Sequence, residues 1–299
     1  MFALMGCKTS TPFSSETSSL PEEFYRVEQP KTALKKSFLI PGGVFAFSNS
    51  NEIYFVDQTD KSVVHKRSLS FSDPVKEFID LKEWLKIEDT KEFKIDDIWI
   101  DAQHRILLAE STTGKILRIS KDARKLENLA DSYDGYRFSK IQGLIGSLNG
   151  EIFVGSPNSA TIYRIDPTKG KLSVLNENLV RSNDFTITKD RLLVAETAPN
   201  RIVVYDFNKS KEMLKSWKLI HFTSRDDRPS SIDFLDQDKN FLSVLLQGRK
   251  KLQVFDLRNG ELFKQIDLPT RCFRIRAHDN WIYLQTKKGI IRKEIPSFK

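Results

Sequence analysis

The chain has few of the residues that would point to a disulfide-stapled, metal-binding or membrane-spanning protein. Its two cysteines, Cys7 and Cys272, cannot form a disulfide framework, so packing must stabilise the fold. No run of about 18 or more apolar residues is present, which leaves no candidate transmembrane helix. The four histidines are far apart, and neither a nucleophile elbow nor a P-loop occurs. Short motifs therefore assign no reaction to this chain.

Long segments with the 3.6-residue periodicity of amphipathic helices are also missing. In their place are short runs of β-branched and aromatic residues, which are typical of strands. The 299 residues include 21 phenylalanines, and 39% of the chain is hydrophobic, which is enough to fill a core. The formal net charge of +8, from 48 basic and 40 acidic residues, is moderate and typical of a solvated surface. Composition thus indicates an all-β protein.

The strand pattern repeats along the chain. Residues 97–120 contain three short apolar runs separated by two turns, and similar units precede and follow them. The second strand of each unit is expected to begin near Ile53, Ile106, Ile152, Leu192, Phe241 and Ile282. A spacing of roughly 40 to 50 residues is typical of propeller blades, each of which is a four-stranded antiparallel sheet. The sequence therefore predicts a six-bladed β-propeller, with two stacked β-sandwich domains as the alternative.

Six blades account for residues 23–299 as one domain, after a tether formed by residues 1–22. The blades are expected at residues 44–79, 95–129, 141–175, 183–222 and 230–268, with the last beginning at residue 272. Because the last blade has too little sequence for a fourth strand, we predict that residues 35–40 pair with residues 290–295. The N-terminal strand would then close the ring. Apolar residues at helical spacing predict a short helix within residues 81–89.

The N-terminus carries the run Leu4-Met5-Gly6-Cys7, which resembles the lipobox of bacterial lipoproteins. In that motif the cysteine is acylated and becomes the first mature residue. Residues 8–19 are rich in serine and threonine, as flexible tethers are, whereas the residues before Cys7 are fewer than a signal peptide needs. The resemblance implies a cell-envelope lipoprotein that meets the membrane only through a lipid on Cys7. Without that lipid we expect a soluble protein.

Basic residues recur in the loops that lead into the first strand of five of the six blades, at Lys94, Arg137, Arg181, Arg225, Arg228 and Arg271. More occupy the turns between second and third strands, at Lys61, Lys115, Arg201, Arg249, Lys250, Lys287 and Lys288. Antiparallel alternation puts both sets of loops on one face. Arginine and lysine bind carboxylates and phosphates. We therefore predict that an acidic ligand or protein partner binds at Lys94, Arg137, Arg181, Asn183, Asp184, Arg228 and Arg271.

A solvated surface is the alternative explanation, because arginine and lysine are common in exposed loops. Acids that lie near these cations are Asp96, Asp97, Asp184, Asp226 and Asp227. Nucleic acid is not an expected partner, because base stacking needs exposed aromatic rings. The nearest rings, Tyr136, Phe138 and Phe273, are expected to pack between blades. We expect a monomer.

Residues 191–207, RLLVAETAPNRIVVYDF, are the clearest copy of the repeated unit. This run resembles the NHL repeat and the related regucalcin/gluconolactonase propellers, whose second and third strands carry a similar pattern. Weaker copies extend the resemblance over residues 44–295. The resemblance implies a six-bladed propeller but no single function, because these propellers include enzymes, binding modules and scaffolds.

Enzymes of the gluconolactonase branch hold a divalent cation at the channel mouth through oxygen ligands. By this resemblance Asn183 matches an asparagine ligand, Ser230 stands where the family has an aspartate, and residues 41–43 lack the expected glutamate. Carboxylates that could rebuild such a site are those of Asp184, Asp226 and Asp227. The prediction is a non-catalytic binding propeller with no cofactor. The alternative is a metal-dependent lactonase or esterase that uses a cation such as calcium.

Overall fold

The computed structural model describes residue 40 and residues 42–57, 59–85, 93–138, 140–147, 149–158, 160–176, 182–206 and 216–295. These residues form 25 strands and one short helix. Among them, no helix is long and apolar enough to cross a membrane. The all-β class predicted from the sequence is confirmed.

Six antiparallel sheets follow one another along the chain, and the strands of each sheet pair in sequence order. We number these sheets as blades 1 to 6. Blade 1 comprises β1 (Phe45–Ser48), β2 (Glu52–Val56), β3 (Val63–Ser68) and β4 (Lys76–Asp80). Blade 2 comprises β5 (Ile95–Ile100), β6 (Ile106–Glu110), β7 (Lys115–Ile119) and β8 (Leu126–Ala130).

Helix α1 (Leu81–Leu85) joins blades 1 and 2, as its spacing of apolar residues predicts, and residues 86–92 lie outside the described residues. A small hairpin joins blades 2 and 3 and was not expected from the sequence. Its strands are β9 (Ser132–Tyr133) and β10 (Tyr136–Arg137). The hairpin rests on blade 3, where the ring of Tyr133 lies 5.5 Å from that of Tyr163.

The remaining blades are built in the same way, except that the described residues of blade 6 form three strands. Blade 3 comprises β11 (Leu144–Gly146), β12 (Ile152–Ser156), β13 (Thr161–Asp166) and β14 (Lys171–Asn176). Blade 4 comprises β15 (Ser182–Ile187), β16 (Arg191–Glu196), β17 (Arg201–Asp206) and β18 (Ser216–His221). Blade 5 comprises β19 (Pro229–Phe234), β20 (Phe241–Leu246), β21 (Lys251–Asp256) and β22 (Glu261–Asp267). Blade 6 comprises β23 (Cys272–His278), β24 (Trp281–Thr286) and β25 (Gly289–Glu294).

The hydrophobic core lies between neighbouring blades. Each of the six blade junctions holds its own cluster of buried apolar residues; Ile79 and Leu108, for example, pack between blades 1 and 2. Blade 6 packs in the same way against blade 1 through Tyr283 and Phe45, so the sheets close into a ring. Six sheets with six such junctions are a six-bladed propeller, and they exclude two stacked sandwiches.

One residue of the predicted closing strand lies within the described residues. Ile40 pairs with Ile290 in β25, with N–H···O distances of 3.0 and 2.8 Å in the two directions. Both side chains are buried in the cluster between blades 6 and 1. Residues 35–39, the rest of the predicted strand, lie outside the described residues, as do the tether and Cys7.

The first strands of successive blades contact one another around the central channel. In four of them the register with the second strand shifts near the strand's start: Ile95/Asp97, Ser182/Asp184, Pro229/Ser231 and Cys272/Arg274. Such β-bulges redirect side chains and commonly occur next to active sites. The residue that follows each bulge is buried, although three of the four are charged.

Candidate functional site

The loops that lead into blades 5 and 6 form a cleft at the channel mouth together with the turn between β20 and β21. The cleft has a volume of about 350 Å³ and is lined by Asp226, Arg228, Gln247, Gly248, Lys250 and Arg271. The cationic groups of Arg228, Lys250 and Arg271 belong to exposed side chains. No described carboxylate lies within 4.0 Å of these groups. The cleft therefore carries one carboxylate and three cations that have no ion-pair partner among the described residues.

The backbone below the cleft is tightly fixed. Arg228 donates its N–H to Oδ1 of Asn200 at 3.0 Å, and its carbonyl accepts the N–H of Gln247 at 3.3 Å. Arg249 pairs with Asp227 at 2.9 Å, so it points to the loop instead of the cleft. Only glycine fits at position 248, because a β-carbon there would overlap the carbonyl oxygen of Asp226. The two loops thus hold each other in one arrangement.

Two of the three cations occupy unusual backbone conformations. Arg228 has a φ of 49° and Lys250 a φ of 53°, both in the left-handed region that favours glycine. Lys250 ends its turn at the position that Gly114, Ala160 and Asn200 occupy in blades 2, 3 and 4, and all four residues have positive φ. Non-glycine residues in this conformation cost free energy and cluster at functional sites.

The other predicted cations that the structure describes do not line this cleft. Lys94 is exposed and forms an ion pair with Asp96. Arg137 lies in β10 of the unexpected hairpin and is exposed. Arg181 lies outside the described residues. Tyr136, which we expected to pack between blades, has 79% of its surface exposed in the same hairpin. A role of these residues in ligand binding stays a prediction.

Asn183 and Asp184 lie side by side at the bulge of β15 but have different surroundings. Oδ1 of Asn183 accepts a hydrogen bond from Nε2 of Gln142 at 3.2 Å, and its Nδ2 donates to Thr197 Oγ1. Asp184 is only 1% exposed and points into the channel. Both of its oxygens are bound by Arg276 in a bidentate pair, with N···O distances of 2.8 Å.

A second arginine crosses the channel from blade 6. Arg274 follows the bulge of β23, is 6% exposed and pairs with Asp97 of blade 2. Asp97, which the sequence suggested as a partner of loop cations, is fully buried instead. Its second oxygen accepts the N–H of Leu144 in blade 3 at 2.8 Å. The Arg274–Asp97 pair therefore ties three blades together.

Carboxylates and one hydroxyl in the channel also accept backbone N–H groups from the following blade. Asp184 accepts from Ile232 at 3.2 Å, and Asp233 accepts from Ala277 at 2.8 Å. The hydroxyl of Ser231 donates to Asp184 and accepts the N–H of Ile275 at 3.0 Å. These bonds connect blades 4, 5 and 6 in series and leave few acceptors free.

The charges in the channel shift one another's pKa values. Burial alone would raise the pKa of Asp184, but the charge and hydrogen bonds of Arg276 outweigh burial and lower it. Burial would likewise lower the pKa of Arg276, and Asp184 raises it above its usual value. For Asp233 burial dominates and raises the pKa, despite the nearby Arg276. Arg276 and Asp184 thus form an ion pair, while the ionised form of Asp233 is disfavoured.

The channel mouth does not fit the divalent cation that the resemblance implies. Of the oxygen ligands expected there, Asn183 already binds another amide, Ser230 stands where the family has an aspartate, and residues 41–43 include no acid in place of the glutamate. Asp184 is committed to Arg276, and Asp227 to Arg249. Within the described part of the chain, no group of three or more His, Cys, Asp or Glu side chains could hold a metal ion.

Arg274 and Arg276 were missed at the sequence level. The sequence did contain a signal for them: charged residues at positions 274 and 276 alternate with the apolar Ile275 in a first strand. Alternate positions lie on one face of a strand, so both arginines lie opposite the face on which Ile275 packs against blade 5. A lone polar residue there is common, but two arginines require buried partners.

Comparison with known proteins agrees with this architecture. The family model of the SMP-30/gluconolactonase/LRE-like region matches residues 144–276, a little under half of the chain, from blade 3 into blade 6. No protein of curated function matches the sequence.

Several solved structures share the fold. A gluconolactonase from Xanthomonas campestris superposes with a TM-score of 0.69 at 16% identity, over 85% of this chain and 86% of that one. A luciferin-regenerating enzyme has a TM-score of 0.66 at 12% identity, over 86% and 92%. A virginiamycin B lyase from Staphylococcus aureus has a TM-score of 0.59 at 18% identity, over 87% of each chain. Identities this low support a common fold and leave the activity open.

Proposed function

We propose that this protein is a binding propeller that takes an acidic ligand, or an acidic group of a protein partner, in the cleft between blades 5 and 6. The observation that carries the proposal is the convergence of Arg228, Lys250 and Arg271 on one cleft without a described acidic partner within ion-pair distance. Guanidinium and ammonium groups left unpaired in a concave site attract carboxylates and phosphates.

The left-handed backbone at two of the cations supports the same proposal. A lysine at position 250 costs more than the glycine or asparagine used at the equivalent turns of blades 2 and 4. Ala160 has the same conformation at the equivalent turn of blade 3, so the support from position 250 lies in the combination of this backbone with a cationic side chain in the cleft. The size of the cleft, about 350 Å³, is at the lower end of the range for ligand pockets and suits one acidic sugar or a short acidic side-chain cluster.

The test is a binding titration of the full chain with polygalacturonate and with poly-glutamate, and with dextran as a neutral probe. We expect the Arg228→Ala/Arg271→Ala variant to bind the acidic probes about tenfold more weakly or worse, because two charge-assisted contacts are lost. Arg225→Ala is the matched control, since Arg225 is exposed on the same loop and does not line the cleft. Equal binding by the double variant and the control would contradict the proposal.

Lactone hydrolysis is a second candidate, favoured by the family match over residues 144–276, which includes Asn183 at the channel mouth. The metal ligands expected for it are not assembled among the described residues. An assay with glucono-lactone, with and without calcium, distinguishes the two candidates. Calcium-dependent hydrolysis that is lost in Asn183→Ala would favour the enzyme over the binding propeller.

A further inference from the structure

The channel below the mouth contains two cations that belong to the protein itself. Arg274 and Arg276 both come from β23, with Ile275 between them, and both are at most 6% exposed. We infer that these two guanidinium groups supply the positive charge that a divalent cation supplies in the gluconolactonase-type propellers that the sequence resembles. The channel therefore holds its carboxylates together without a metal ion.

Each guanidinium joins blades that are not neighbours. Arg274 reaches from blade 6 to Asp97 of blade 2, and Arg276 reaches from blade 6 to Asp184 of blade 4. A cation on the axis of a propeller would do the same by drawing ligands from several blades. Here the links are covalently attached to one strand, so they are present at every calcium concentration.

The charges nearly balance without an added ion. Three carboxylates, those of Asp97, Asp184 and Asp233, face two guanidinium groups, and the ammonium of Lys239 also interacts with Asp233. Burial raises the pKa of Asp233, which disfavours its charged form and brings the cluster closer to neutrality. A divalent cation placed among these groups would be repelled by both arginines, and the carboxylate oxygens it needs already accept hydrogen bonds.

Thermal unfolding of the full chain in EDTA and in excess calcium chloride tests this inference. For the unmodified protein we expect the same unfolding temperature in both solutions, since no preformed calcium site exists to couple binding to folding. Arg276→Met should unfold on the order of 10 °C lower, because it leaves Asp184 buried and unpaired. Asp184→Asn/Arg276→Met should recover much of that loss, because the buried charge is removed.

Arg118→Met is the matched control, since Arg118 is also ion-paired, to Glu127 at 2.7 Å, but lies on blade 2 outside the channel. It should lower the unfolding temperature by far less than Arg276→Met. A calcium-dependent rise in the unfolding temperature of the unmodified protein would overturn the inference. A double variant as unstable as the single one would do the same. If Arg276→Met does not fold, the comparison of the unmodified protein in EDTA and in calcium chloride still tests the inference. Anion binding at the cleft is measured in a separate experiment, so failure of this inference and failure of the proposed function can be distinguished.

Discussion

Arg271 and Arg274 lie three positions apart at the start of β23, yet they belong to different regions of the molecule. Arg271 is exposed at the mouth cleft, where its guanidinium lies 5.8 Å from the centre of the Phe273 ring. Arg274 is buried in the channel and paired with Asp97. The bulge between Cys272 and Arg274 separates the two surroundings. An arginine before the bulge is thus a solvent-exposed charge, whereas an arginine after the bulge forms a buried ion pair between blades.

The difference shows what burial does to a charge. In the channel, removal from water is so unfavourable that every described arginine has a carboxylate partner. At the mouth, water solvates the cations, so they can remain unpaired until a ligand arrives. Channel substitutions should therefore change stability, and mouth substitutions should change binding.

The largest expected effect is that of Asp97→Ala in the channel. This change leaves the guanidinium of Arg274 buried without a partner and removes the acceptor of the Leu144 N–H. We expect the free energy of unfolding to fall by about 3–5 kcal/mol, measured by denaturant titration. Asp226→Ala at the mouth is the control and should leave stability almost unchanged. Similar losses in the two variants would remove the distinction between the regions.

A smaller effect is expected from Gly248→Ala, which acts on the frame of the cleft without removing a charge. The added β-carbon would overlap the carbonyl oxygen of Asp226, so the two loops must separate. We expect a loss of about 1–3 kcal/mol in the free energy of unfolding and weaker binding of acidic probes. Gly43→Ala is the comparison, because its backbone is not left-handed and a β-carbon there makes only ordinary contacts, the nearest at 3.5 Å from the carbonyl oxygen of Val56. Unchanged binding in Gly248→Ala would show that the cleft geometry is not needed.

The smallest expected effect on stability is that of Lys250→Gly, and its sign is opposite. Glycine adopts the left-handed backbone of position 250 without strain, so the free energy of unfolding should stay the same or rise by up to about 1 kcal/mol. Binding of acidic probes should weaken, because one of the three cations is lost. If the variant is as stable as the unmodified protein and binds the acidic probes equally well, Lys250 is an ordinary turn residue.

The blades were largely predictable because they depend on local signals. The expected starts of the second strands, such as Ile106 and Ile152, coincide with the starts of β6 and β12. Turn residues and apolar runs specify such hairpins within about 40–50 residues of chain. The hairpin of β9 and β10 was missed, because its two-residue strands have no apolar periodicity.

The candidate site was predictable only in part. Arg228 and Arg271 were expected at the mouth and do line one cleft, whereas Lys94 has an acidic partner and Arg137 lies in an inserted hairpin. Their sequence contexts are alike, since each precedes a first strand. What separates them is the path of each loop, which depends on contacts with neighbouring blades.

The amino-acid sequence by itself determined the number of blades, the order of their strands and the supply of cations near the mouth, since each of these follows from patterns within one repeat. The tertiary structure alone decided which cations are free. Arg274 pairs with Asp97, which lies 177 residues away in the sequence, and Arg276 pairs with Asp184, which lies 92 residues away. Such pairs form because closing the ring brings distant first strands together and excludes water from the charges between them.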